Sequence, residues 1–271
     1  QQQQQQRASS ASQPAHNGPG AAEGGLSSLA AAAGELRGAL AQLRAAALGF
    51  GDLYQGNLAE RLVEGSAASG GGLTEAELRA TRMRVASATR SALGTDLVLL
   101  STDASPGMAG AVQAAMAGQA PGADNSAGAG AGASLVTLDR EGNAVSCAFS
   151  MNNLFGTGRV VAGTGILLAA APGIGRVEAA PLPVAILARP DLRRFRAAAS
   201  GSGGDAALAA TALPLAAVQR RAGPADPYAG VPASGRGVVI SCAGTVPTNG
   251  PGCIGAADQR GGGVALGSFV R

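Results

Sequence analysis

Residues 134–168 read SLVTLDREGNAVSCAFSMNNLFGTGRVVAGTGILL. Ser134 to Leu138 is a short strand, Asp139 to Asn143 (Asp-Arg-Glu-Gly-Asn) is a turn, and Ala144 to Met151 runs back, so the stretch predicts a β-hairpin. The two Gly-Thr-Gly triplets at 156–158 and 163–165 read as turn glycines. A phosphate cradle would need a strand-GxGxxG-helix context, which neither has.

Outward from the hairpin, Leu29, Leu36, Leu40 and Leu43 are spaced for an amphipathic helix over 26–48, and Leu58, Leu62 and Val63 for a second. Thr74 with Glu77 forms a capping box that opens a third helix, and a fourth is expected over 108–117. Strands are expected at 96–100, 165–169, 184–188 and 238–242, with an Ala-rich helix at 205–219 behind the glycines of 201–204. This mixture predicts a layered α+β fold. The chain divides into a polar tail (1–25), disordered unless a partner orders it, a helical segment (26–117), a Gly/Ala linker GQAPGADNSAGAGAGA (118–133), and a sheet-and-helix region (134–271).

Glycine supplies 43 of the 271 residues, Trp is absent, and aromatic residues are 3%, so the core must be built from Ala, Val and Leu. All 20 basic residues are Arg, and the net charge of +3 is spread along the chain, which argues against nucleic-acid binding by charge. The one histidine, His16, lies in the tail. A Ser-His-Asp triad or a histidine metal site is thereby excluded from the folded part, and no metal or cofactor is expected. No apolar run reaches the roughly 18–20 residues of a membrane helix.

Cys242 and Cys253 bracket an irregular Gly/Pro/Thr/Asn segment that a disulfide would tie down in an oxidising compartment; two free thiols are the alternative. Cys147 reads as a small core residue. The chain opens QQQQQQRASS without Met, consistent with an end left by signal-peptide removal, or with a fragment. A periplasmic or otherwise exported location is the expectation.

As a whole, 134–168 resembles the start of the small subunit of the gamma-glutamyltranspeptidase family. GDLYQGNLAERLVEGSAASGGGLTEAELRATRMRV (51–85) is similar to the family's late large-subunit stretch, SGSGGDAAL (200–208) to its glycine loop, and AADQRGGG (256–263) to its closing Asp-Pro-Arg motif. The resemblance implies an Ntn-hydrolase fold, an αββα sandwich of two antiparallel sheets between helical layers, here lacking part of the large-subunit region. It also implies a nucleophile exposed by self-cleavage, whose own α-amine can serve as base.

Carried over residue by residue, the nucleophile falls on Gly132 or Ala133, neither of which has a nucleophilic side chain. Ser134 is the nearest hydroxyl in register and the alternative catalytic residue; Ser126 lies in the linker. Ser150 and Asn152 match the strand end that supports the nucleophile, and Gly203 and Gly204 the oxyanion glycines. Strand-end capping and turn formation would account for them equally. The positions that grip the glutamyl amino and carboxylate groups fall on Ala171, Ile174, Ala179 and Ala180, which cannot pair with those charges.

The expected function is therefore that of a catalytically inactive transpeptidase-like protein, an accessory or structural subunit of a larger assembly. The alternative is an Ntn-type amidohydrolase with a non-glutamyl substrate, activated by cleavage before Ser134. Loss of early large-subunit strands would expose sheet surface, so a protein partner or a homodimer is expected, with peripheral attachment to a membrane complex also open.

Overall fold

The computed structural model describes residues 19–101, 107–119, 121, 132–174, 177–191, 194–220, 226–246 and 252–267. The expectations for residues 1–18 of the tail, Ser126, and most of the Gly/Ala linker lie outside the described residues. The described residues form two compact units, one comprising those up to 82 with 160–166, the other those from 83 to 159 and from 167 onward.

The first unit is helical: α1 (Pro19–Ala45), α2 (Asp52–Gln55), α3 (Asn57–Ala68) and α4 (Glu75–Ala80). Side-chain oxygens set the starts of α3 and α4. Asp52, buried, accepts from the Asn57 and Leu58 backbone N–H groups at 3.2 Å each and so satisfies the first donors of α3. At α4 both halves of the expected capping box form: Glu77 N–H donates to Thr74 Oγ1 (3.2 Å) and Thr74 N–H to Glu77 Oε2 (2.9 Å).

The second unit is built on one antiparallel sheet. Its strands are β1 (Thr89–Leu93) and β2 (Asp96–Leu100), then, after α5 (Met108–Met116) and the separate hairpin β3 (Gly132–Leu138) and β4 (Ala144–Ser150), β7 (Val184–Arg189) and β8 (Arg194–Ser202). The two-residue strands β5 (Val160–Val161) and β6 (Ile166–Leu167), which belong to the first unit apart from Leu167, form a separate small ribbon. After α6 (Ala206–Gln219) come β9 (Arg236–Val246) and β10 (Cys253–Ala257), giving the order β1-β2-β7-β8-β9-β10 with every pair antiparallel.

One face of this sheet packs on α5 and α6. Val98, Leu100, Leu187, Ala197 and Ala199 meet Met108, Val112, Ala210 and Leu215, all buried. Alanine and glycine allow the close approach: a Cβ on Gly201 would come within 2.5 Å of the Ala207 carbonyl oxygen and 2.7 Å of Thr211 Oγ1. The opposite face packs on the hairpin, where Val136, Leu138 and Ala144 cover Phe195, Ala198 and Ile240. Two hydroxyls bind the layers together: Ser146 Oγ donates to the Ala199 carbonyl (3.0 Å), and Ser200 Oγ lies 3.1 Å from the Cys147 carbonyl.

The hairpin's outer face is open. Leu135, Val145 and Phe149 are each more than half exposed. Cys147 is a correction to the sequence reading: it alternates with Val145 and Phe149 on this outer side and is half-buried rather than a core residue. Cys242 and Cys253 are disulfide-bonded, and they are direct register partners in β9 and β10. Strand pairing, rather than an irregular loop, brings these two sulfurs together.

Candidate functional site

The site suggested by the sequence is assembled where β3 begins, β4 ends and β8 runs into α6. Gly132 stands directly opposite Ser150 across the hairpin. A Cβ placed on Gly132 would lie 2.8 Å from Ser202 Cβ and 3.1 Å from the Phe149 carbonyl oxygen. Ser202 is the last residue of β8, 8% exposed, immediately before Gly203 and Gly204. Residues up to 70 positions apart in sequence thus converge at one sheet corner, beside Gly132 and Ala133, the two positions on which the resemblance places the nucleophile.

Each supporting residue has a structural task there. Asn152 adopts a left-handed backbone (φ 60°), which asparagine tolerates better than most residues. Its N–H donates to Ser150 Oγ (2.8 Å), its Nδ2 donates to the Ala170 carbonyl (3.0 Å), and its Oδ1 accepts from the Ala180 N–H (3.2 Å). One side chain therefore staples both ends of the 170–180 turn to the end of β4. Gly203 has φ 114°, and a Cβ on it would come within 2.2 Å of the Ser234 carbonyl oxygen, so only glycine fits. Gly204 (φ 60°) turns the chain into α6, its carbonyl accepting from the Ala207 N–H at 3.0 Å.

The closing AADQRGGG motif fixes the segment that Gly203 touches. Arg260 Nε donates to both carboxylate oxygens of Asp258 (3.0 and 3.2 Å), while its Nη1 and Nη2 donate to the Val231 and Gly235 carbonyls (3.2 and 3.3 Å). Hydrogen bonding from Arg260 holds the Asp258 carboxyl below the usual carboxylate range, against the opposing effect of its burial. Tyr228 is buried beside it, its hydroxyl donating to the Ala256 carbonyl (2.8 Å), and burial pushes that hydroxyl far up. These groups form a latch over residues 231–235.

Other candidate positions lie apart from this corner. Ser134 is paired with Ala148, two residues along β3 from Gly132, or about 7 Å at the rise of a strand. Among the described residues its Oγ has no hydrogen-bond partner that could act as base. Ala171, Ile174 and Ala179 are exposed, with Ile174 at 69%, while Ala180 is half-buried and committed through its N–H to Asn152. None carries a charge with which to bind a zwitterion. No group of His, Cys, Asp and Glu suited to holding a metal occurs among the described residues.

Ser202 is the residue that sequence reasoning missed. It lies inside the quoted SGSGGDAAL motif, but its apposition to Gly132 arises from hairpin stacking on β8, which local sequence does not encode.

The fold has a solved counterpart. The crystal structure of cephalosporin acylase from Bacillus halodurans superimposes with a TM-score of 0.53 at 14% identity, over 78% of this chain and 58% of the acylase. This is a likeness of fold, and it does not single out the gamma-glutamyltranspeptidase family. The chain spans 58% of the acylase's length. No protein-family profile matches the sequence, and no curated protein does.

Proposed function

We propose that the chain is a catalytically silent, gamma-glutamyltranspeptidase-like member of the Ntn hydrolases that serves as an accessory or structural subunit of a larger, exported assembly. The observation that carries this reading is at the start of β3: neither Gly132 nor Ala133, on which the resemblance places the nucleophile, has a nucleophilic side chain, and a Cβ on Gly132 would meet Ser202 and the Phe149 carbonyl. Nucleophilic acyl transfer requires an oxygen or sulfur there.

Further support comes from the surroundings. Asn152, Gly203 and Gly204 are explained by backbone stapling and close packing without any ligand. Ala171, Ile174 and Ala179 lie on an exposed turn where a glutamyl group would find no ionic partner. The open hairpin face favours a partner, and the Cys242–Cys253 disulfide favours an oxidising compartment. Among the described residues no helix is long and apolar enough to cross a membrane.

The test is turnover by the purified chain of a γ-glutamyl anilide and of an acylated cephalosporin. The expected result is no product above the protein-free blank with either. Turnover that disappears in Ser134→Ala would replace this reading with the amidohydrolase activated before Ser134.

A further inference from the structure

The last strand of the six-stranded sheet, β10, has the sequence CIGAA and little to bury. Ile254 is 64% exposed and Gly255 is exposed, so Ala257 is the one buried residue of the strand. Among the described residues β10 pairs only with β9, and so short a strand with so little apolar contact is weakly held by itself. The Cys242–Cys253 bond therefore supplies a large share of what keeps β10 on the sheet.

Its two sulfurs are unequally accessible. Cys242 is 4% exposed and packs with Phe195 and Ala198 beneath the hairpin, whereas Cys253, at the margin of that cluster, is only half-buried. An incoming thiolate thus meets Cys253 first. Past the bond, β10 holds both ends of the 228–235 segment. The Tyr228 hydroxyl donates to the Ala256 carbonyl (2.8 Å), and Arg260, placed by Asp258 just after β10, donates to the Val231 and Gly235 carbonyls (3.2 and 3.3 Å). Inside the segment the Val231 N–H donates to the Tyr228 carbonyl and the Gly235 N–H to the Pro232 carbonyl, and the Ser234 carbonyl packs against Gly203.

We propose that the Cys242–Cys253 bond is a redox-sensitive clasp: a dithiol reduces it through Cys253, and its opening loosens β10 together with the 228–235 segment that β10 holds against Gly203. One thiolate of the dithiol attacks Cys253 Sγ, the bond to Cys242 breaks, and Cys242 leaves as a thiolate that takes a proton from water. The second thiol of the dithiol, deprotonated, attacks the dithiol sulfur now bonded to Cys253 and releases Cys253 as a thiol. Both electrons come from the dithiol, which ends as a disulfide. The closed bond is the resting state in an oxidising compartment, and the clasp does not depend on catalytic silence.

The test uses the full chain carrying Cys147→Ser, so that the free thiol takes no part, with dithiothreitol at neutral pH and no denaturant. Timed alkylation should find Cys242 and Cys253 both modified. Amide hydrogen exchange should rise on the order of tenfold at Ala256, Ala257, Val231 and Gly235, stay unchanged at Val98 and Leu187, and return to its starting rate after reoxidation. Reduced glutathione, a monothiol, should be trapped on Cys253 with Cys242 alkylated. In Arg260→Ala, Val231 and Gly235 should exchange fast in both redox states while Ala256 still responds to dithiothreitol. Reduction that begins only at the urea concentration that unfolds the whole chain would overturn the proposal. So would glutathione on Cys242, or a reduced chain in which Val231 and Gly235 exchange as slowly as in the oxidised one.

Discussion

Gly132 faces Ser202 so closely that a Cβ on the glycine would lie 2.8 Å from the serine Cβ. The bare glycine at the start of β3 is therefore coupled to the packing of β8 against it. Gly132→Thr is expected to destabilise the fold by about 1–3 kcal/mol through overpacking, and to leave the chain inactive. Adding Ser202→Gly should return part of that stability. Urea denaturation of the two variants measures both effects, and an unaltered midpoint in Gly132→Thr would contradict them.

Asn152→Ala should cost about 2–3 kcal/mol, because it removes two side-chain hydrogen bonds and places a Cβ-bearing residue without local compensation at φ 60°. Asn152→Gly keeps the backbone geometry accessible and should cost less. Equal losses in thermal or urea unfolding would contradict a backbone contribution at φ 60° and assign the whole cost to the lost hydrogen bonds.

Much of the fold was legible in the sequence where the signal is local. The hairpin around Asp139–Asn143, β2, the Thr74–Glu77 box and the Ala-rich helix α6 all appear as read. Three strands of the main sheet escaped. β1 (TRSAL) and β10 (CIGAA) lack strong alternation, and β8 (RFRAAASGS) is alanine-rich and buried on both faces, so periodicity cannot distinguish it from helix. At the site, Gly203 and Asn152 were found through motif resemblance. The contacts that explain them, to Ser234, Ala170 and Ala180, depend on long-range packing.

The Cys242–Cys253 bridge closes a short loop, with a separation of 11 residues. Its removal in Cys242→Ser/Cys253→Ser should lower stability by about 2–3 kcal/mol. Peptide mapping without reductant should recover the two cysteines as one linked pair and Cys147 as a free thiol. Both thiols alkylatable in native protein would contradict the bridge.

The depressed Asp258 carboxyl has a defined pH signature. Its folded value lies below the unfolded value of about 3.9, so its contribution is fully present above about pH 4 and is lost as pH falls through the folded value. Asp258→Asn should destabilise by about 2 kcal/mol at neutral pH by weakening the hydrogen bonds with Arg260, and should flatten the acid limb of stability below pH 4. A parallel acid limb in wild type and variant would place the titrating group elsewhere.

Catalytic silence at Gly132 is tested most directly by γ-glutamyl anilide turnover in the purified chain, assayed alongside its intact mass. The account predicts no turnover and a mass with no cut between Ala133 and Ser134. Sustained turnover by a chain cleaved at that bond, abolished by Ser134→Ala, would contradict it.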